Sequence, residues 1–180
     1  MKRSLRKKIL EKRNSLDKIK EKSAIIKEKL FNSEEYKKSK TVMFYVSFGS
    51  EVYTHEMIKE ALKNKIVAVP KLKNNGFVAC RINDFDELNF RNKYNILEPE
   101  NYNKKIDKNK IDLVIVPCVV FDRNGYRCGY GKGYYDVFLS GMKPKTIGLA
   151  FNVQVVDTIP MEEHDVKLDK IITEKEIINC

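Results

Sequence analysis

Glycines at 125, 129, 131 and 133 enclose Arg127 and Lys132, with Arg123 just before them and Asp136 just after. Residues of these types, so spaced, can bind phosphate. Glycines let a ligand reach backbone N–H groups closely, and Lys132 adds positive charge beside them. The run from Ile111 to Val116 is apolar and β-branched, which predicts a buried central strand. Pro117 cannot donate to a ladder and should end it. From Gly133 the pattern turns helical, with Tyr134, Tyr135, Phe138 and Leu139 roughly on one face. Strand, glycine loop and helix follow in the order that α/β proteins use to hold phosphate. Neither common nucleotide fingerprint fits. Position 134 is Tyr where G-x-G-x-x-G needs a third glycine. Position 126 is Tyr where the P-loop needs its first glycine, and Gly133 stands where that motif has Ser or Thr. A purely structural turn, with its tyrosines packed into the core, is the competing reading.

The stretch Phe121–Asp136 reads F-D-R-N-G-Y-R-C-G-Y-G-K-G-Y-Y-D. It resembles the signature of the 5-formyltetrahydrofolate cyclo-ligase (methenyltetrahydrofolate synthetase) family, F-D-x-x-G-x-R-x-G-x-G-x-G-Y-Y-D. Other segments extend the resemblance. Lys2 to Arg6 is similar to the family's opening K-x-x-L-R, Asn95–Pro99 to its I-x-E-P segment, and Glu163–Asp169 to its closing E-x-D-x-x-x-D. The resemblance implies ATP-dependent cyclisation of 5-formyltetrahydrofolate to 5,10-methenyltetrahydrofolate, releasing ADP and phosphate through a phosphorylated formyl (imidate) intermediate. It implies Arg127 and Lys132 as catalytic cations. Lys2, Arg6, Arg127, Gly129, Gly131, Lys132, Gly133, Tyr134 and Tyr135 would form the ATP site. Val46, Glu51, Tyr130, Gly131, Lys132, Gly133 and Tyr134 would bind folate, and Asp136 with Asp169 would hold magnesium. Tyr130 departs from the pattern, standing where some members carry a basic residue that contacts substrate; an aromatic ring there would stack instead. Lys71, after Pro70, matches a strand-end basic residue and is a candidate for a phosphate or glutamate tail.

The elements that must position these residues are legible in outline. Leu5, Ile9, Leu16, Ile19, Ile26 and Leu30 form an apolar stripe, predicting one long helix over residues 2–31. Lys2, Arg3 and Arg6 crowd its first turns, where the helix dipole favours acids, so an anion there would relieve the placement. A helical turn over Ser33–Lys38 and a strand over Val42–Ser47 should follow, with Glu51 in the loop after the strand. Thr54 should cap a helix over 55–64, and a strand over 65–70 completes a β-α-β unit. Asn74-Asn75-Gly76 predicts a hairpin into a strand over 77–82. Further strands are expected at 146–151 and 170–173.

The expected fold class is α/β, a single domain over residues 1–180: a three-layer sheet flanked by helices, akin to the Rossmann-like transferase type that the resemblance implies. At 180 residues the chain can bury a sizeable core, and no apolar run approaches the length of a membrane span. The N-terminus lacks the apolar stretch and cleavage site of a signal peptide, so a cytoplasmic monomer is expected. The four cysteines show no metal-ligand spacing, and neither His55 nor His164 is near one; all six are expected to be structural or surface residues. A net charge of +10 favours anionic partners: ATP, a polyglutamylated folate, or nucleic acid. A basic RNA-binding module is therefore the alternative class, though it should alternate aromatics along an exposed sheet, and these are missing. A non-catalytic folate-binding relative is the other alternative.

Overall fold

Two helices, not one, carry the N-terminal apolar stripe. The computed structural model describes residues 2–163 and 165–180, so the expectation for His164 lies outside the described residues. Helix α1 (Lys2–Asn14) ends before a break at 15–18, and α2 (Ile19–Asn32) begins after Lys18, whose φ of 52° is left-handed. The stripe serves two different cores, which is why it bends. Ile9 of α1 packs with Val119, Val120 and Cys128, whereas Ile26 and Leu30 of α2 pack on the main sheet. Ser33 accepts from the Tyr36 N–H and caps α3 (Glu34–Lys38), as expected.

Strand β1 (Thr41–Met43) is shorter than the predicted 42–47. The cause lies in its neighbour. After α4 (His55–Ala61), β2 (Ile66–Lys73) pairs parallel with β1 only as far as Met43 against Ala68. Pro70 is the next donor on that side and has no N–H to give. Freed from the sheet, residues 44–54 are tied by their own side chains. The Thr54 hydroxyl donates to the Tyr45 carbonyl at 2.7 Å and accepts from the Ser47 N–H at 3.0 Å, so it braces this loop and does not cap α4. Helix α4 also stops three residues before the predicted end.

The hairpin forms as predicted, β2 pairing antiparallel with β3 (Gly76–Ile82) across Asn74-Asn75. A small ribbon, β4 (Phe90–Arg91) with β5 (Leu97–Glu98), precedes β6 (Leu113–Val116), the predicted central strand. Next come β7 (Val120–Asp122), β8 (Arg127–Cys128), α5 (Tyr134–Leu139) and β9 (Lys145–Leu149). β10 (Val155–Val156), β11 (Lys170–Ile172) and β12 (Ile177–Asn179) complete the chain.

The main sheet runs β12-β11-β9-β6-β1-β2-β3, parallel from β11 to β2 with an antiparallel strand at each edge. Its strands alternate between two cores, as a two-residue side-chain period requires. Val42, Leu113 and Ile115 join Ile26, Leu30, Met57 and Ile58 on one face. Met43, Val114 and Val116 join Phe138 and Leu139 of α5 on the other. The sheet is thus the middle of three layers, and a second sheet, β10-β7-β8, stands apart from it.

Candidate active site

The site is built where β6 ends, at the carboxyl ends of the parallel strands, where open α/β sheets place ligands. The chain leaves Val116 through Pro117 and enters the β7–β8 hairpin, which turns at Asn124-Gly125, a hairpin signal that the reading of this stretch as a phosphate loop passed over. Asp122 anchors that hairpin, accepting the N–H groups of Asn124, Tyr126 and Ile159 at 2.9–3.0 Å. The return strand carries Arg127 and Cys128 into a cavity of about 650 Å³. Gly131 (φ 96°) and Gly133 (φ 65°) then turn the chain into α5 in conformations that L side chains rarely adopt. A Cβ on Gly131 would come within 3.4 Å of the Arg6 guanidinium.

One wall gathers the cations. Lys2 donates to Asp165 at 3.0 Å and pairs with Glu162 at 3.1 Å; Arg6 Nε donates to Cys128 Sγ at 3.1 Å. Arg127 is buried, and both of its named bonds go to protein groups: the Val166 carbonyl at 2.6 Å and Asp136 Oδ1 at 2.8 Å. Val166 N–H also donates to Asp136 Oδ1, at 3.1 Å. Lys132 is the contrast, exposed in the cavity lining and without an ion pair among the described residues.

The predicted folate residues line the same cavity. Val46 and Glu51 line it, both nearly inaccessible to solvent. Glu51 accepts from Phe48 N–H at 3.1 Å and from the Tyr130 hydroxyl at 3.2 Å. Burial pushes its carboxyl up to about 7, against the pull of these donors and of Arg13. Tyr135 also lines the cavity, its hydroxyl buried without a partner among the described residues. Tyr94 reaches over from the β4–β5 ribbon, its hydroxyl 3.4 Å from that of Tyr134.

Apart from the candidate Lys71, all predicted site residues but one therefore border a single cavity. The exception is Asp169. It sits at the amino-terminal end of β11, the opposite end of the sheet, where its carboxylate accepts the Thr146 N–H and hydroxyl at 2.8 Å each. Asp136 and Asp169 do not come together. The pattern that suggested Asp169 also contains Asp165, and the structure brings Asp165 to the cavity instead. Lys71 is buried and donates to Glu98 at 2.9 Å. Glu98 is further held by the Leu72 N–H and Asn92, which makes the Glu98-Pro99 segment a buried brace of the cavity wall. Cys128 is not merely structural, since it lines the cavity against Arg6. Among the described residues, no cluster of three or more His, Cys, Asp or Glu could hold a metal unaided.

Residues 1–174 match the model of the 5-formyltetrahydrofolate cyclo-ligase family. A 5-formyltetrahydrofolate cyclo-ligase from Mycoplasma pneumoniae is 36% identical over 183 residues, covering 97% of this chain and 99% of its own length. A probable 5-formyltetrahydrofolate cyclo-ligase from Caenorhabditis elegans is 35% identical over 166 residues, covering 84% of this chain and 81% of its own. Among solved structures, the Aquifex aeolicus 5,10-methenyltetrahydrofolate synthetase superposes with a TM-score of 0.88 at 33% identity, covering 99% of this chain and 92% of its own.

Proposed function

The chain belongs to the 5-formyltetrahydrofolate cyclo-ligase family, and on that premise we propose that its cavity closes 5-formyltetrahydrofolate to the 5,10-methenyl form at the expense of ATP. The observation that carries this is the polarity of the cavity. The glycine loop, its cations and the buried acceptor Glu51 all line the same space.

The formyl oxygen is a poor leaving group. Transfer of the γ-phosphoryl to it gives an imidate phosphate; the second folate nitrogen attacks the formyl carbon and phosphate departs. No protein nucleophile is needed, and catalysis reduces to alignment and charge. Lys2 and Arg6 approach from α1 to meet the phosphates, and the amides of Gly129, Gly131 and Gly133 cradle them. Lys132, exposed on its loop and unpaired among the described residues, supplies charge to the transferring group. Arg127, spent on Asp136 and the Val166 carbonyl, holds Asp136 in place. Val46, Glu51, Tyr130 and Tyr134 would take the folate, and Tyr135 offers its unpartnered hydroxyl.

Magnesium fits this donor set, with Asp165 replacing Asp169. Asp136 and Asp165 border the same cavity as hard oxygen donors, and two carboxylates suffice for an ion that keeps waters and phosphate oxygens. Bound there, magnesium would neutralise phosphate charge. The same reading takes residues 1–180 as one domain acting as a cytoplasmic monomer, on polyglutamylated folate as well as the monoglutamate. No described helix is long and apolar enough to cross a membrane. An RNA-binding module is less favoured, because helices cover both faces of the main sheet and leave it no aromatic platform.

The test is an assay of purified protein with 5-formyltetrahydrofolate and ATP, followed by the near-ultraviolet absorbance of the methenyl product. Product should form only with ATP and magnesium. Asp165→Asn should raise the magnesium needed for half-maximal rate by roughly 10-fold or more, whereas Asp169→Asn should leave it unchanged. A raised requirement in Asp169→Asn with none in Asp165→Asn would return the metal site to Asp169.

A further inference from the structure

Arg13 lies in the last turn of α1, is only 3% exposed, and reaches the loop that carries Glu51, where its neighbour Asn14 also accepts from Ser50. Its guanidinium donates to the Tyr130 hydroxyl at 2.7 Å, to Ser50 Oγ at 3.0 Å and to the Cys118 carbonyl at 3.4 Å. A guanidinium has donors only, so the Tyr130 oxygen must accept from it. The single phenolic proton is then left for Glu51 Oε1, 3.2 Å away. Phe48 N–H serves Glu51 Oε2 from the other side. Each carboxylate oxygen is thus engaged once by the protein and keeps acceptor capacity toward the cavity.

We infer that Arg13 is a positioning residue for the folate end of the site: it orients the Tyr130 hydroxyl, and through it fixes Glu51 as an acceptor for N–H groups of the substrate. The inference rests on the reading that Glu51 meets folate. It also gives the phenol at position 130 a job that stacking alone would not, since a phenylalanine could stack but could not bridge Arg13 to Glu51. Ser50, the second anchor of Arg13, immediately precedes Glu51, so the guanidinium clamps the loop as well as the side chain. The titratable and charged groups facing Glu51 are Arg13 from α1, Tyr130 from the glycine loop, Tyr45 beyond β1 and Tyr135 from α5. Of these, only Arg13 bears a charge near neutral pH.

The experiment is direct titration of the full chain with 5-formyltetrahydrofolate and, separately, with ATP, for wild type, Arg13→Met, Tyr130→Phe and the double variant. Each single variant should weaken folate binding by roughly 10-fold, the scale of one hydrogen bond to a charged group. ATP binding should change by less than about 2-fold, and the double variant should be little worse than either single one, because both break the same chain of bonds. Arg13→Met should also move the pH dependence of folate binding upward, since Glu51 loses its only nearby cation. Additive losses, equal weakening of ATP, or an unmoved pH profile would overturn the inference. If Arg13→Met does not fold, Tyr130→Phe, which keeps the ring and removes one oxygen, decides the matter through its folate-to-ATP ratio. A wild-type protein that binds no folate would instead overturn the functional reading, and this inference with it.

Discussion

Lys132 and Arg127 are five residues apart on the same loop and have opposite environments. The guanidinium is buried between Asp136 and the Val166 carbonyl, while the ammonium lies exposed at the cavity. Stability and catalysis should therefore separate. Lys132→Ala removes an exposed cation that no described partner holds, so the melting temperature should shift by no more than about 2 °C. Turnover should fall by roughly 100-fold or more, the usual cost of losing a charge that meets the transition state. A melting shift as large as that of an Arg127→Ala variant, measured in parallel, would contradict this division. Residue types and spacing singled out Lys132 and the glycines from the chain alone, whereas Glu51, a lone loop carboxylate, was singled out only by the family resemblance. They could not make Asp165 legible in preference to Asp169, because four residues separate two identical carboxylates and only the fold shows which end of the sheet each one reaches.

At the level of elements, local pattern succeeded where a segment belongs to a single sheet. β6 is buried on both faces and reads as an uninterrupted apolar run, and Asn74-Asn75-Gly76 marks its own turn. It failed where two cores compete. The stripe from Leu5 to Leu30 keeps helical spacing, but α1 belongs to the small sheet and α2 to the large one. A continuous helix could not serve both, and the chain breaks at Lys18 with φ 52°. The two-residue strand β8, paired within β7–β8, is too short to carry a periodicity of its own. A left-handed lysine costs about 1–2 kcal/mol that glycine does not incur, offset in part by glycine's greater freedom when unfolded. Lys18→Gly should therefore stabilise the protein by about 0.5–1 kcal/mol, read from the urea midpoint at unchanged slope. A loss of stability would show that the Lys18 side chain, and not the bend, matters at this joint.

At the scale of the whole molecule, the folate wall works against folding. The Glu51 carboxyl rises from 4.5 to about 7 because burial disfavours its charge. Below pH 4.5 the group is protonated whether the chain is folded or not, and it costs nothing. As pH rises toward 7 the unfolded chain releases the proton while the folded one retains it, so stability falls across that window. Above 7 the full penalty remains, about 3 kcal/mol at 1.36 kcal/mol per unit. A domain of this size holds only about 5–15 kcal/mol in total, so one carboxylate consumes an appreciable share. Glu51→Gln removes the charge and keeps an acceptor for Phe48 N–H, while its amide NH2 replaces the oxygen that accepts from Tyr130. It should be more stable than wild type by up to about 3 kcal/mol at pH 8, with the gain fading as pH falls toward 4.5, and it should bind folate at least roughly 10-fold more weakly. Denaturant unfolding of both proteins at pH 5 and pH 8 measures the difference. If the two curves stay parallel across that range, Glu51 is ionised in the folded protein without strain, and the site exacts no cost in stability.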